Sequence, residues 1–171
     1  MNSNQLIIRP EVGLITRIYS AFTVSGRHDS NAAANLVAGS PVKLANNTGT
    51  NGSIHVALAA STDDVYGVAG FFNPIHNSWA PGAPLEIALT GTHMYYPVSA
   101  AVTAGAKVAI SINSSTGAVT VAPVTEAGAK YVGIAVTGNS AVGGFMEIVV
   151  NPGSIPAAPD PDPDPDPDPG P

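Results

Sequence analysis

The chain has 171 residues, 44% of them hydrophobic but only 6% aromatic and 11% charged; that length gives room for one cored domain with extensions, not for a second full domain. Its 18 glycines and 16 prolines, set among many Val, Ile, Thr, Asn and Ser, exclude a helical bundle and fit short strands joined by tight turns. The net charge of -6 is mostly a tail property: five of the twelve acids are Asp160, Asp162, Asp164, Asp166 and Asp168, and the remaining seven against six bases lack the basic footprint of a nucleic-acid binder.

The first stretch, MNSNQLIIRPEVG, has no basic region followed by a long apolar run and so does not read as a secretory signal. No apolar run along the chain approaches the ~20 residues that span a bilayer. The expectation is a soluble protein made in a cytoplasm, with no membrane partner. Residues 1–13 form an N-terminal arm whose apolar patch, Leu6-Ile7-Ile8, is closed by Arg9-Pro10. Such a patch needs a partner, and an extended arm can add a strand to a neighbouring sheet edge. Arg9 and Arg17 have the charge to meet an acidic surface.

Residues 14–152 read as a β domain. Strands are expected at 16–24, 41–45, 54–60, 65–72, 84–90, 93–98, 106–112, 118–122, 131–137 and 145–150, several with period-two alternation such as Val108, Ile110 and Ile112 against Lys107, Ala109 and Ser111. Turn sequences such as NNTGTNG and NSSTG separate them. The helix candidate is SNAAANLV, around 30–37. The fold class expected is all-β, a single compact sandwich or barrel-like domain. Pro97 in HMYYPV marks an edge-type strand, because proline cannot donate to a central ladder.

A repeat runs through this domain. AGSPVKLANN from Ala38 leads to YGVA at 66–69, and AGAKVAISIN from Ala104 leads to VGIA at 132–135. Both copies, about 38–69 and 104–135, hold the same offsets: Val42 and Val108, Leu44 and Ile110, Asn47 and Asn113, then Gly67 and Gly133. The pattern reads as a duplicated three-strand unit. The two later glycines read as places where a second backbone comes close or a bulge turns the chain.

The search for chemistry finds no constellation. There is no cysteine for a disulfide or thiolate. His28, His55, His76 and His93 show no metal-ligand spacing and read as solvated or hydrogen-bonded surface residues. Asp63-Asp64 in STDDVYG reads as a turn accepting local backbone hydrogen bonds, since adjacent side chains diverge. No phosphate loop or GxSxG elbow is present. Neither a catalytic residue, a cofactor nor a metal is expected. The proline-rich loop NPIHNSWAPGAP, after Phe71-Phe72, carries the sole tryptophan, Trp79. In a glycan-binding module it would stack on a sugar; otherwise it covers one end of the fold or meets a neighbouring subunit.

AGSPVKLA (38–45), VYGVA (65–69), PLEIALTG (84–91), VTAGAKVAI (102–110), YVGIAVT (131–137) and MEIVV (146–150) come in an order that resembles the head-decoration, or capsid cement, proteins of tailed bacteriophages. The resemblance covers roughly residues 38–150. It implies a non-enzymatic virion protein on the outer surface of the capsid, bridging neighbouring major capsid proteins, and acting as a homo-oligomer with a trimer favoured over a dimer. The candidate capsid or subunit interface is Leu6, Ile7, Ile8, Arg9, Phe71, Phe72 and Trp79. The competing class is a glycan-binding or fibre/adhesin module centred on Trp79.

Residues 153–171 end in PDPDPDPDPGP. Proline fixes φ and pushes each preceding Asp away from the helical region, so a polyproline II-like rod is expected. Its three-residue turn points successive carboxylates in different directions, about 6 Å apart, which suits a spacer of about 30 Å better than an ion site.

Overall fold

The computed structural model describes residues 12–15, 21–46, 52–70 and 77–157. Twelve strands follow one another: β1 (Thr23–His28), β2 (Leu36–Val37), β3 (Pro41–Leu44), β4 (His55–Leu58), β5 (Gly67–Gly70), β6 (Ser78–Trp79), β7 (Pro84–Ala88), β8 (His93–Pro97), β9 (Lys107–Ile112), β10 (Val119–Pro123), β11 (Lys130–Ala135) and β12 (Phe145–Ser154). Among the described residues there is no α-helix, and the protein is all-β. The arm residues Leu6, Ile7, Ile8 and Arg9, the pair Phe71 and Phe72, and the Pro-Asp tail lie outside the described residues.

β1, β4, β3, β5 and β7 close into a five-stranded barrel. The second sheet runs β10-β9-β11-β12-β8. Its outer strands meet at a parallel bridge between Val98 and Val121, with the Ser99 N–H donating to the Val121 carbonyl at 2.9 Å. It therefore curls round into a second, barely closed barrel.

The two barrels share one plan. Counting strands within each half as first to fifth (β1, β3, β4, β5, β7; then β8 to β12), both have the spatial order first-third-second-fourth-fifth. Register matches too. Val42 stands opposite Gly67 as Val108 stands opposite Gly133, and Leu44–Val56 corresponds to Ile110–Val121. Ala69–Ile87 corresponds to Ala135–Ile148, and Val24–Ile87 to Met94–Ile148. The closing parallel pair His28–Val56 has its counterpart in Val98–Val121. The segments 38–69 and 104–135 hold the second to fourth strands of each barrel. The correspondence continues into the first and fifth strands, where side chains hide it: Gly26 faces Leu85 where Tyr96 faces Met146.

Alternation along the strands sends every second side chain inward, and each barrel fills with its own core. Val42, Val56, Leu85 and Ile87 lie in the first; Val108, Val121, Met146 and Ile148 lie in the second. The short segment at 14–15 ties them together, because neighbouring residues point oppositely. Leu14 enters the first core and Ile15 the second, with Ile15 bridged to Met94. Val68 and Ala88, paired on the outer face of the first barrel, also belong to the second core.

The helix candidate at 30–37 is replaced by turns and the two-residue strand β2, paired with β6 through Leu36 and Trp79. Three alanines favour helix locally, but burying Leu36 and Trp79 together in the first core outweighs a propensity of a few tenths of a kcal/mol per residue. β1 also departs from expectation, running on through Ser25-Gly26-Arg27-His28. Ser-Gly there looks like turn punctuation, yet Gly26 is a packing position: a Cβ would lie 2.6 Å from Ile87 Cδ1.

Candidate interaction surface

Trp79 does not present its ring to solvent. It is 8% exposed and packs with Leu36, Leu14 and Leu85 in the first core. Its backbone carbonyl accepts a hydrogen bond from His28 Nδ1 at 3.1 Å. The β2–β6 ribbon thus lids one end of the first barrel, the covering role among the alternatives open to this residue. A sugar-stacking site at Trp79 is not supported, because the face that would stack is buried. His28 is corrected likewise: it closes β1 at 2% exposure instead of lying on a solvated loop.

Three further pairs of titratable side chains meet among the described residues. His93, opening β8, donates from Nδ1 to Glu147 Oε1 at 3.1 Å, both side chains largely buried. Asp63 accepts the Ala60 N–H at 2.8 Å, the local turn bond expected of STDDVYG, and pairs with Lys43 at 2.8 Å. The Lys43 ammonium and then the Ala60 N–H hold its carboxyl below the ordinary value. Asp64 reaches the other barrel, accepting from Lys130 Nζ at 2.5 Å. A depression of about 130 Å³ lies there, lined by Asp63, Asp64, Lys130, Tyr131 and Gly153 among others. Each charge on its rim faces an opposite one, so it offers no surplus charge to a ligand. Among the described residues no three His, Asp or Glu side chains converge as metal ligands would.

What the surface does offer is apolar. Phe22, Leu44, Leu58, Val142 and Phe145 are the large hydrophobics left exposed among the described residues. Phe22 and Leu44 stand at one mouth of the first barrel, on the inward-facing parity of their strands. Phe145 begins β12 on its outward parity, opposite Pro97, and Val142 sits in the turn before it. None was singled out from the sequence as a contact residue. Phe145 was findable, because Met146, Ile148 and Val150 alternate inward and leave 145, 147 and 149 outside. Phe22 was not, because its exposure depends on what stands beyond the barrel mouth.

No protein-family model matches the chain, and no curated protein matches it. Among solved structures, the N base of the head fiber gp8.5 of bacteriophage phi29 overlays it loosely, with a TM-score of 0.47 and 13% identity over 77% of this chain and 94% of that one.

Proposed function

We propose that this chain is a non-enzymatic structural protein of a bacteriophage particle that decorates the outer surface of the capsid. In this reading it bridges neighbouring major capsid proteins and acts as a small homo-oligomer. One observation carries it: the phrases that resemble the capsid cement family are the strand and turn segments of a packed scaffold. PVKL, GVA, PLEIA, KVAI and VGIA all fall on paired strands, and none contributes a reactive group. A protein whose distinctive sequence is spent on packing, and whose surface exposes large apolar side chains, suits adhesion to a larger assembly.

The arm supplies the grip on the capsid in this proposal, through Leu6, Ile7, Ile8 and Arg9. The test is co-sedimentation with capsid shells of the matching phage, using the full chain and a variant lacking residues 1–10. The full chain should saturate the shells at a fixed stoichiometry and raise their resistance to heat, and the truncated chain should lose most of its occupancy. Absence of binding by the full chain would overturn the capsid reading. Equal occupancy by both forms would move the contact off the arm.

A further inference from the structure

The two barrels share one plan but are not covered alike. On the first barrel the outer pair Val68–Ala88 is fully buried. It is the second barrel that covers this wall: a Cβ added to Gly70, beyond Val68 on the same face, would lie 3.1 Å from Met94 Cε of β8 and 3.3 Å from Ile15 Cδ1. The register-equivalent pair on the second barrel is Ile134–Val149. It is bulkier, equally apolar and only half-buried. On the same face of β12, Phe145 is 38% exposed, and Val142 in the preceding turn is 73% exposed. The same wall is built twice and covered once.

Met94, which meets this wall, stands on a strand that is also built twice. β8 corresponds to β1, and the residues just ahead of them correspond as well: the Leu89 N–H donates to the Phe22 carbonyl at 2.7 Å, as the Val150 N–H donates to the Thr92 carbonyl at 2.8 Å. Thr92 is fully buried, whereas Phe22 is 61% exposed. An aromatic ring thus stands uncovered where the second barrel carries a buried threonine.

We propose that the chain associates head to tail with copies of itself: the mouth of one copy's first barrel at the start of β1, led by Phe22, covers the Ile134–Val149 wall of the next copy's second barrel. The contact repeats between copies what β8 and the Val68–Ala88 wall do within one copy. A second copy is the occupant because the piece that covers this wall elsewhere in the molecule is a barrel of the same strand order. The two surfaces differ, so the contact is heterologous and closes into a ring or runs on. A three-membered ring would hold six like contacts, three within chains and three between them. This inference rests on the oligomeric part of the proposed function and is independent of the capsid part.

The test is the solution mass of the full chain by light scattering across a dilution series, with no capsid present. The wild type should be oligomeric. Phe22→Asp on one surface, and Phe145→Glu or Val142→Glu on the other, should each reduce the mass to that of one chain. Val142→Glu lies in a turn outside both cores, so it keeps the wall testable if Phe145→Glu folds poorly. An equimolar mixture of Phe22→Asp and a wall variant retains one intact contact and should give a dimer and nothing larger. A monomeric wild type would overturn the proposal. So would a Phe22→Asp variant with the wild-type mass, which would mean a symmetric wall-to-wall contact, or a mixture that stays monomeric. Because capsid binding is not part of the readout, failure here leaves the capsid reading standing, and the reverse holds.

Discussion

Among the described residues Tyr96 is the largest side chain buried without solvent contact, and its hydroxyl leaves its own barrel to donate to the Gly39 carbonyl at 2.8 Å. Burial pushes this phenol far above its ordinary value of 10.0, since the phenolate would lose its hydration. As pH rises, the unfolded chain therefore gives up this proton first. Stability tied to the neutral phenol is whole below about pH 10 and is lost progressively above it. Tyr96→Phe should cost about 1–2 kcal/mol at neutral pH through the carbonyl left without its donor. Its urea midpoint should then fall less steeply than the wild type's above pH 10, narrowing the gap. Parallel decline of the two proteins would show that another group controls alkaline unfolding. Single residues were the scale least legible in the sequence. His28 and Trp79 looked like loop residues because neither carries a local sign of the barrel end it closes. Their burial follows from pairing between segments some fifty residues apart, which no short window of sequence contains.

Strand pairs carried their sign more openly. Gly67 and Gly133 were readable as sites of close backbone approach, and the structure gives the reason. A Cβ at Gly67 would lie 2.6 Å from the Ala88 carbonyl oxygen, and one at Gly133 would lie 2.6 Å from that of Val149. The obstacle is backbone of the facing strand, which cannot swing aside as a side-chain tip can. Gly67→Ala and Gly133→Ala should each cost about 1–3 kcal/mol in denaturant unfolding, the usual range for overpacking, and by similar amounts because the two sites correspond. Tolerance of alanine at either, at wild-type stability, would show that the strand pair yields. Alternating strands such as Lys107–Ile112 were legible because burial of one face imposes a period of two. The ribbon of β2 and β6 was not, because two-residue strands are too short to have a period, and the alanines before Leu36 imitate a helix.

At the scale of the molecule, sequence made the all-β class legible, and with it the repeated packing positions, but not the division into two cores or the closure of either barrel. Closure depends on the first and third strands meeting in parallel, a pairing with no turn between them to announce it. The barrels should nevertheless unfold as one body, since Leu14 and Ile15 enter different cores from adjacent positions and Val68 and Ala88 of the first barrel pack in the second core. The fluorescence of Trp79, the sole tryptophan, reports on the first barrel, and the far-ultraviolet dichroism of the strands reports on both together. The two signals should give the same denaturant midpoint; separated midpoints would show barrels that unfold independently. The Leu14–Ile15 tie also has a consequence for birth on the ribosome. Ile15 finds its partner Met94 only after about 80 further residues have been made, roughly 4–16 s at ~5–20 residues per second. The first barrel, complete once Ala88 has been made, can then assemble while the rest of the core that houses Ile15 is still being synthesised. A nascent chain is therefore stickiest in mid-synthesis, and a chaperone that binds short apolar segments would find its opening then.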